Sequence, residues 1–539
     1  IATRLVSSLS PTSTICACPV TSKWVKSLKV VSSFRNSLWL NLLMIKVIKN
    51  ISNVYDSTVT RILLLILFCA MGTGKSALSQ DLPDLGDPFR DDFSLFQERV
   101  IGDSIMGNIR SSTAYVSDPE IADYLNHLGY QLVANSDSPA TEFYFFALIN
   151  QTLNAFALPG GYVGVHSGLI LESDNESMLA GVLGHEVAHV TQRHIARIIA
   201  GQGRARIGSL AAMAAAILAA RSGGDVAQAA VMTSVALPMQ SRLNFTREHE
   251  READRIGLRI LKQSEFDPHQ VPLFFKHLQR QSRLYESGVP EYLRTHPINS
   301  ERIADIEARL AKVSPTQVED SIALLFVKAR LRVYQDGPLS AVEIFKEQLN
   351  SQDKKVRVAG MYGLIYSFIF ENELNTLTLD EARATVDAAL SVEPGHPMLL
   401  SLEADFERLL GDPERAGVLY AEALERYPSR KSLVYGYAEF LMSSERFKDL
   451  EKLMSDLVWS AEVRDPKYYE YRAKAHAGLK QKMAMHLDYS EVLAMTGNLV
   501  GAINELLSAQ KATDGDFFLR TSVDSRLREL EEIQRTLAK

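Results

Sequence analysis

Two histidines four residues apart, with a glutamate beside the first, restrict this chain more than any other feature: Gly184-His185-Glu186-Val187-Ala188-His189. Met178, Leu179, Val182, Leu183, Val187, Val190, Ile195, Ile198 and Ile199 recur around it at helical spacing, and Ser173, Asp174 and Asn175 offer caps. The pattern predicts a helix from about Asn175 to Ala200. Residues i and i+4 share a helix face, so His185 and His189 aim two imidazoles at one point. Such a pair can bind Zn²⁺, and the Glu186 carboxylate then lies where it can take a proton from a water at the metal. Two imidazoles do not complete a catalytic zinc site, so the chain must supply a third ligand.

The run Ser241-Arg242-Leu243-Asn244-Phe245-Thr246-Arg247-Glu248-His249-Glu250-Arg251-Glu252-Ala253-Asp254 offers one, and Ile256, Leu258, Ile260 and Leu261 continue it as a second helix. Glu250 and Asp254 share a face, so one carboxylate can ligate zinc while the other engages a ligand histidine. With both motifs present, the sequence resembles the gluzincin metallopeptidases grouped with the heat-shock protease HtpX and the CAAX prenyl proteases. Their hallmark is His-Glu-x-x-His on one helix and Glu-x-x-Ala-Asp on a later one. The resemblance implies one zinc per chain, with His185, His189 and Glu250 as ligands and Glu186 as general base. It gives Asp254 a proton-donor role, whereas its spacing alone reads as an orienter of a ligating imidazole. Glu248 and Glu252 point away from the Glu250 face and are expected to be solvated, and His249 is expected at the surface.

Ahead of this machinery the composition is uneven. Residues 1–79 hold nine Lys and Arg against the single acid Asp56, and Arg61 precedes the apolar run Ile62 to Met71 and then Ala77-Leu78-Ser79-Gln80. A basic flank, a short apolar core and a small-x-small exit form the pattern of an export signal, with cleavage expected after Ser79. The core is shorter than the roughly 20 residues of a membrane-spanning helix. Because residue 1 is Ile, translation is expected to start at Met44 or later; the rival reading of residues 1–43 is an organelle transit peptide. Without residues 1–79 the chain loses Cys16, Cys18 and Cys69, its three cysteines, and so any disulfide. Lys plus Arg falls from 58 to 49 and Asp plus Glu from 65 to 64, a net charge of −15. That balance argues against nucleic acid as a partner and against an electrostatic dock on anionic lipid.

From Asp81 to about Val116 the chain is polar and rich in Asp, Gly and Pro, and reads as a leader. Ser117-Asp118-Pro119-Glu120 caps a helix, Glu142 to Leu148 reads as a strand, and Asn154 to Ile170 reads as two strands around Pro159-Gly160-Gly161. An edge strand beside zinc would pair with extended, unfolded substrate. His166 falls in the second strand and reads as structural rather than as a ligand. Ile207 to Met239, Ala-rich and broken at Ser222-Gly223-Gly224-Asp225, reads as a soluble helical hairpin whose arms are too short to span a membrane. Whether its apolar face touches client or membrane stays open. Thr295-His296-Pro297 resembles the segment that closes the peptidase domain in exported members of the group. His296 is then a turn histidine, a fourth zinc ligand that silences the resting enzyme, or a donor to the oxyanion.

Beyond Pro315 a 34-residue period emerges: Ala382, Ala389 and Pro394 recur as Ala416, Ala423 and Pro428, with looser copies at Gly337…Ala341…Phe345 and Gly497…Ala502…Leu506…Ala509. Helix pairs at this period with small residues at their crossings are the tetratricopeptide signature, and they stack into a protein-binding solenoid. The expected architecture is an α+β peptidase domain, mostly helical with a small sheet, followed by an all-α tetratricopeptide solenoid. The expected boundaries are 1–79 extension and signal, 80–116 leader, 117–312 peptidase and 313–539 repeats. The resemblance implies a periplasmic endopeptidase acting on unfolded or stalled proteins. It also implies work with the outer-membrane assembly machinery through the repeats, with peripheral membrane contact left open. The alternative is a chaperone or scaffold whose peptidase is mainly latent.

Overall fold

The computed structural model describes residues 94–201, 245–284, 291–371, 377–460 and 465–537. The expected signal at 61–79 and the Ala-rich hairpin at 207–239 lie outside them. The segment expected to be a leader instead contributes a helix, α1 (Leu95–Arg110), opened by a capping box in which Ser94 and Gln97 exchange hydrogen bonds at 2.9 and 3.2 Å. Its polarity hid a buried stripe of Ile101, Ile105, Met106 and Ile109.

That stripe covers one face of a three-stranded sheet formed by β1 (Tyr144–Leu148), β2 (Ala155–Leu158) and β3 (Tyr162–His166), in the order β1-β3-β2. β3 runs parallel to β1 and antiparallel to β2. Strand alternation divides the side chains: Phe146, Phe156, Leu158 and Tyr162 meet α1, while Phe145, Ala147, Val163 and Val165 enter the main core. The β2–β3 turn depends on Gly160 and Gly161 at φ +80° and +83°, and a Cβ on Gly161 would stand 2.1 Å from the Glu142 carbonyl oxygen. The second strand stops at His166 rather than Ile170, because its β1 partner ends there; Gly168 N–H turns to the Asn150 carbonyl, and helix α3 (Ser167–Glu172) begins.

On the other face lie α2 (Pro119–Val133), capped by Asp118, and α4 (Glu176–Thr191), capped by Asn175, whose Oδ1 accepts from Met178 N at 2.9 Å. The helix expected to reach Ala200 is broken. Arg193 takes φ +52°, its guanidinium Nε donates to Glu98 of α1 at 2.9 Å, and α5 (His194–Gly201) sets off afresh. Next come α6 (Arg247–Gln263), α7 (Gln270–Leu284), α8 (Glu291–Thr295) and α9 (Ser300–Leu310). α4 and α6 cross at Gly184 and Gly257, where a Cβ on Gly257 would approach His185 N to 3.1 Å. This close crossing brings the two motif helices within side-chain reach of one metal.

The rest is helical hairpins: α10 (Ile322–Asp336), α11 (Pro338–Gln348), α12 (Lys354–Glu371), α13 (Leu379–Val392), α14 (Pro397–Leu409), α15 (Pro413–Arg426), α16 (Lys431–Ser443), α17 (Phe447–Ser460), α18 (Pro466–Gly478), α19 (Lys482–Met495), α20 (Leu499–Lys511) and α21 (Phe517–Leu537). α13, α15 and α17 begin 34 residues apart, and Ala382, Ala389, Ala416 and Ala423 are all buried at helix crossings. The expected boundary at 312 does not separate two cores. One apolar cluster runs from Val116 through the peptidase helices to Phe406 of α14. Polar contacts reinforce the joint: Ser321 Oγ donates to Glu176 at 2.6 Å, Arg330 of α10 pairs with Asp118 at 2.7 Å, and Arg430 pairs with Glu120. No helix among the described residues is long and apolar enough to cross a membrane.

Candidate metal centre

Four side chains from three parts of the chain converge in the interior. His185, His189, Glu250 and His296 each offer one ligand atom, and these atoms lie within 4.8 Å of one another. His185 Nε2 stands 3.0 Å from His189 Nε2 and 3.5 Å from Glu250 Oε2, while His189 Nε2 is 3.4 Å from Glu250 Oε1. His296 follows α8 and points inward, with Nδ1 3.0 Å from Glu250 Oε1 and Nε2 3.4 Å from Glu186 Oε1. All are buried, so water cannot satisfy them.

This is a set of acceptors short of donors. Both Glu186 oxygens and Glu250 Oε2 are buried without a hydrogen bond of acceptable geometry. Arg302 lies 2.7 Å from Glu250 Oε2, close enough to neutralise it but off the hydrogen-bond axis. Buried polar atoms normally find partners, and such a gathering of lone pairs fits a cation. The electrostatics point the same way. Burial works against ionising Glu250, but His296, His185 and His189 outweigh it and hold the carboxyl well below its usual range. Burial likewise drives His189 well below its ordinary value, toward the neutral form a ligand needs. His185 is lifted to about 10, because Asp254 and Glu250 outweigh the burial penalty. A dication can take the place of the proton those two carboxylates retain.

Around the ligands sits a layer of supports. Asp254 Oδ1 is 3.1 Å from His185 Nδ1, and Arg302 grips both Asp254 oxygens at 2.8 Å. His189 Nδ1 is 2.9 Å from His194 Nδ1, whose Nε2 is 3.1 Å from Glu252 Oε2. Phe245 packs on His189 at 3.9 Å between centroids, and Tyr292 stacks on His296 at 4.8 Å. Glu186 is fully buried; burial raises its pKa, offset in part by His296 and His185.

Two expectations need correction. Glu252 is not simply solvated, since the broken helix after Arg193 swings His194 and Arg197 onto it. His249 is half-buried and stacks on His194 at 4.5 Å rather than facing solvent. His166 stays apart from the cluster, its Nδ1 2.7 Å from Thr152 Oγ1, and burial lowers it to about 4. Sequence reasoning passed over His194, Tyr292 and Arg302. His194 shows no helical spacing to His189, and Tyr292 and Arg302 flank the Thr295-His296-Pro297 segment without a ligand spacing of their own.

The model of peptidase family M48 matches residues 119–310. The beta-barrel assembly-enhancing protease of Escherichia coli K12 is 31% identical over 480 residues, covering 87% of this chain and 96% of its own length. Its counterpart in Yersinia pestis is 32% identical over 468 residues, covering 86% and 94%. A mitochondrial metalloendopeptidase, OMA1 of Schizosaccharomyces pombe, is 30% identical over 206 residues, 38% of this chain and 55% of its own.

Proposed function

Since this chain belongs to the beta-barrel assembly-enhancing proteases of peptidase family M48 and is a metalloendopeptidase, we propose that it uses one zinc to cut unfolded or stalled proteins in the bacterial periplasm, in support of outer-membrane β-barrel assembly. The observation that carries this reading is the convergence of the two Nε2 atoms and the Glu250 carboxylate in a buried, donor-poor space. Two imidazoles and a carboxylate with one position left open are the ligand set of catalytic zinc. We assign His185, His189 and Glu250 to the metal and Glu186 to the chemistry.

Zinc in that site supplies a Lewis acid that polarises the scissile carbonyl and acidifies water. Glu186, whose raised pKa suits a general base, takes a proton from the attacking water as its oxygen bonds to the carbonyl carbon. The same carboxyl then gives that proton to the departing amide nitrogen as the C–N bond breaks. Asp254 suits orientation better than proton donation. Arg302 and His185 hold it ionised against its burial, so it fixes the His185 ring rather than releasing a proton. Among the described residues β2 is an outer strand of the sheet and runs beside Glu186, so its outer edge can align an extended peptide across the site. His296 stands among the ligands and is read as a fourth one that restrains the resting enzyme. The repeat solenoid would present clients to the site and meet the assembly machinery.

The test is Glu186→Gln on the full chain with denatured casein. Metal content should stay at one per chain while cleavage falls by roughly 10²–10⁴, the range for loss of a general base. Cleavage at the wild-type rate would remove Glu186 from the chemistry. The scaffold reading survives only if this variant fully restores a deletion phenotype.

A further inference from the structure

The two ligand histidines are braced differently, and the difference concerns a residue outside both motifs. His185 presents Nδ1 directly to a carboxylate, Asp254, at 3.1 Å. His189 presents Nδ1 to another histidine, His194, at 2.9 Å, and only His194 reaches a carboxylate, with Nε2 3.1 Å from Glu252 Oε2. Arg197 Nη1 donates to the same Glu252 oxygen at 3.0 Å, so that oxygen stays turned toward His194 as an acceptor.

The proton count along this chain has one solution. A neutral His189 that offers its Nε2 lone pair must carry its proton on Nδ1. That N–H can only donate, so His194 Nδ1 must be bare and accept. The His194 proton then sits on Nε2 and points at the Glu252 carboxylate. Each member fixes the tautomer of the next, from Glu252 inward to His189. We propose that His194, locked by Glu252, is a positioning residue that holds His189 in its ligating tautomer and orientation; this rests on the metal-site reading above.

The backbone is arranged for this contact. On an unbroken helix, five residues turn through about 140° beyond a full circle, which would carry His194 off the His189 face. The break at Arg193, with φ +52°, returns it. His194 is fully buried, stacked on His249 at 4.5 Å and flanked by Phe245 at 6.3 Å, so no water competes for its nitrogens.

The test uses the full chain and two substitutions that separate packing from hydrogen bonding. His194→Phe keeps the ring and removes the acceptor. His194→Asn loses the ring but places an amide oxygen near the former Nδ1. Zinc affinity is read by competition with a chromophoric chelator, and melting curves in excess chelator check that each variant is folded. His194→Phe should bind zinc about 10–100-fold more weakly, the usual loss when a ligand's outer partner goes. His194→Asn should stay near wild type. Equal affinities in the two variants, whether both weakened or both unchanged, overturn the proposal. A wild-type chain that binds no zinc fails earlier, at the metal-site reading itself.

Discussion

At the joint between α2 and the repeats, Asp118 Oδ2 accepts from Arg330 Nε at 2.7 Å, Tyr366 at 3.1 Å and Tyr334 at 3.3 Å, while Oδ1 accepts from Glu120 N at 2.9 Å. Arg330 also donates to Tyr362 Oη at 2.6 Å and lies over the Tyr366 ring at 3.9 Å. At the metal centre the partners do not match. Both Glu186 oxygens and Glu250 Oε2 lack a donor of acceptable geometry, in a space shared with three imidazoles. Asp118 and Arg330 close their hydrogen bonds with each other and with the surrounding tyrosines, leaving only Glu120 Oε1 and Arg430 Nε unmet nearby, whereas the metal centre gathers three unmet carboxylate oxygens in one space. Buried charge alone therefore does not mark a working site; several unmet carboxylate oxygens gathered among imidazole nitrogens do.

The largest effect is expected from breaking the closed cluster. Arg330→Met removes the ion-pair partner of the buried Asp118 carboxyl, which should cost about 3–5 kcal/mol in denaturant unfolding. Because the apolar core is continuous from Val116 to Phe406, peptidase and repeats should lose stability in one transition. A loss below about 1 kcal/mol, the range of an exposed pair, would show that water or rearrangement compensates. The counterpart is Glu250→Gln, which should leave folding intact because the amide keeps the shape. Zinc affinity should fall by more than about 100-fold, beyond the loss of an outer partner, since a neutral amide is a poor ligand. Unchanged affinity by chelator competition would take Glu250 out of the metal site. Together these two variants should separate stability from metal binding.

His296 tests the open cluster more finely. With Nδ1 3.0 Å from Glu250 and Nε2 3.4 Å from Glu186, it occupies space that a substrate carbonyl and water would need. His296→Ala should raise cleavage of denatured casein by about 5–30-fold, the shift a 1–2 kcal/mol restraint confers. Slower turnover would instead make it a donor to the transition state, and no change would leave it a packed turn residue.

The sequence displayed the centre of the site better than its surroundings, for a physical reason. His185 with His189, and Glu250 with Asp254, are helix neighbours four apart, so local geometry alone brings each pair together. His194 depends on a left-handed residue at Arg193 and an ion pair to Glu98 in a segment that read as a leader. Arg302 and Tyr292 reach the site through tertiary packing of α8 and α9, which no periodicity encodes. The 34-residue repeat was legible because the same alanines recur at helix crossings. The shared core was not, since Asp118 and Arg330 meet across 212 positions.

The smallest expected effect is a pH dependence inside the closed region. His396 caps α14, its Nδ1 accepting from Met398 N at 3.3 Å, and packs edge-on against Phe326 at 5.1 Å. Burial lowers its pKa from 6.5 to about 4, with Glu120 and Arg430 acting in opposite senses. A depressed folded-state pKa means that the unfolded chain binds the proton more readily between about 4 and 6.5. The stability linked to His396 is therefore complete above pH 6.5 and declines as pH falls toward 4. Protonation also converts Nδ1 from acceptor to donor and breaks the cap. His396→Asn retains a cap acceptor and removes the titration. Between pH 7 and 5.5, with chelator present throughout so that the metal ligands contribute equally, wild type should lose about 1 kcal/mol more than the variant, from 1.36 kcal/mol per pKa unit reduced for partial exposure. Urea midpoints at the two pH values measure it, and parallel losses would mean that His396 is wet enough to titrate normally in the folded chain.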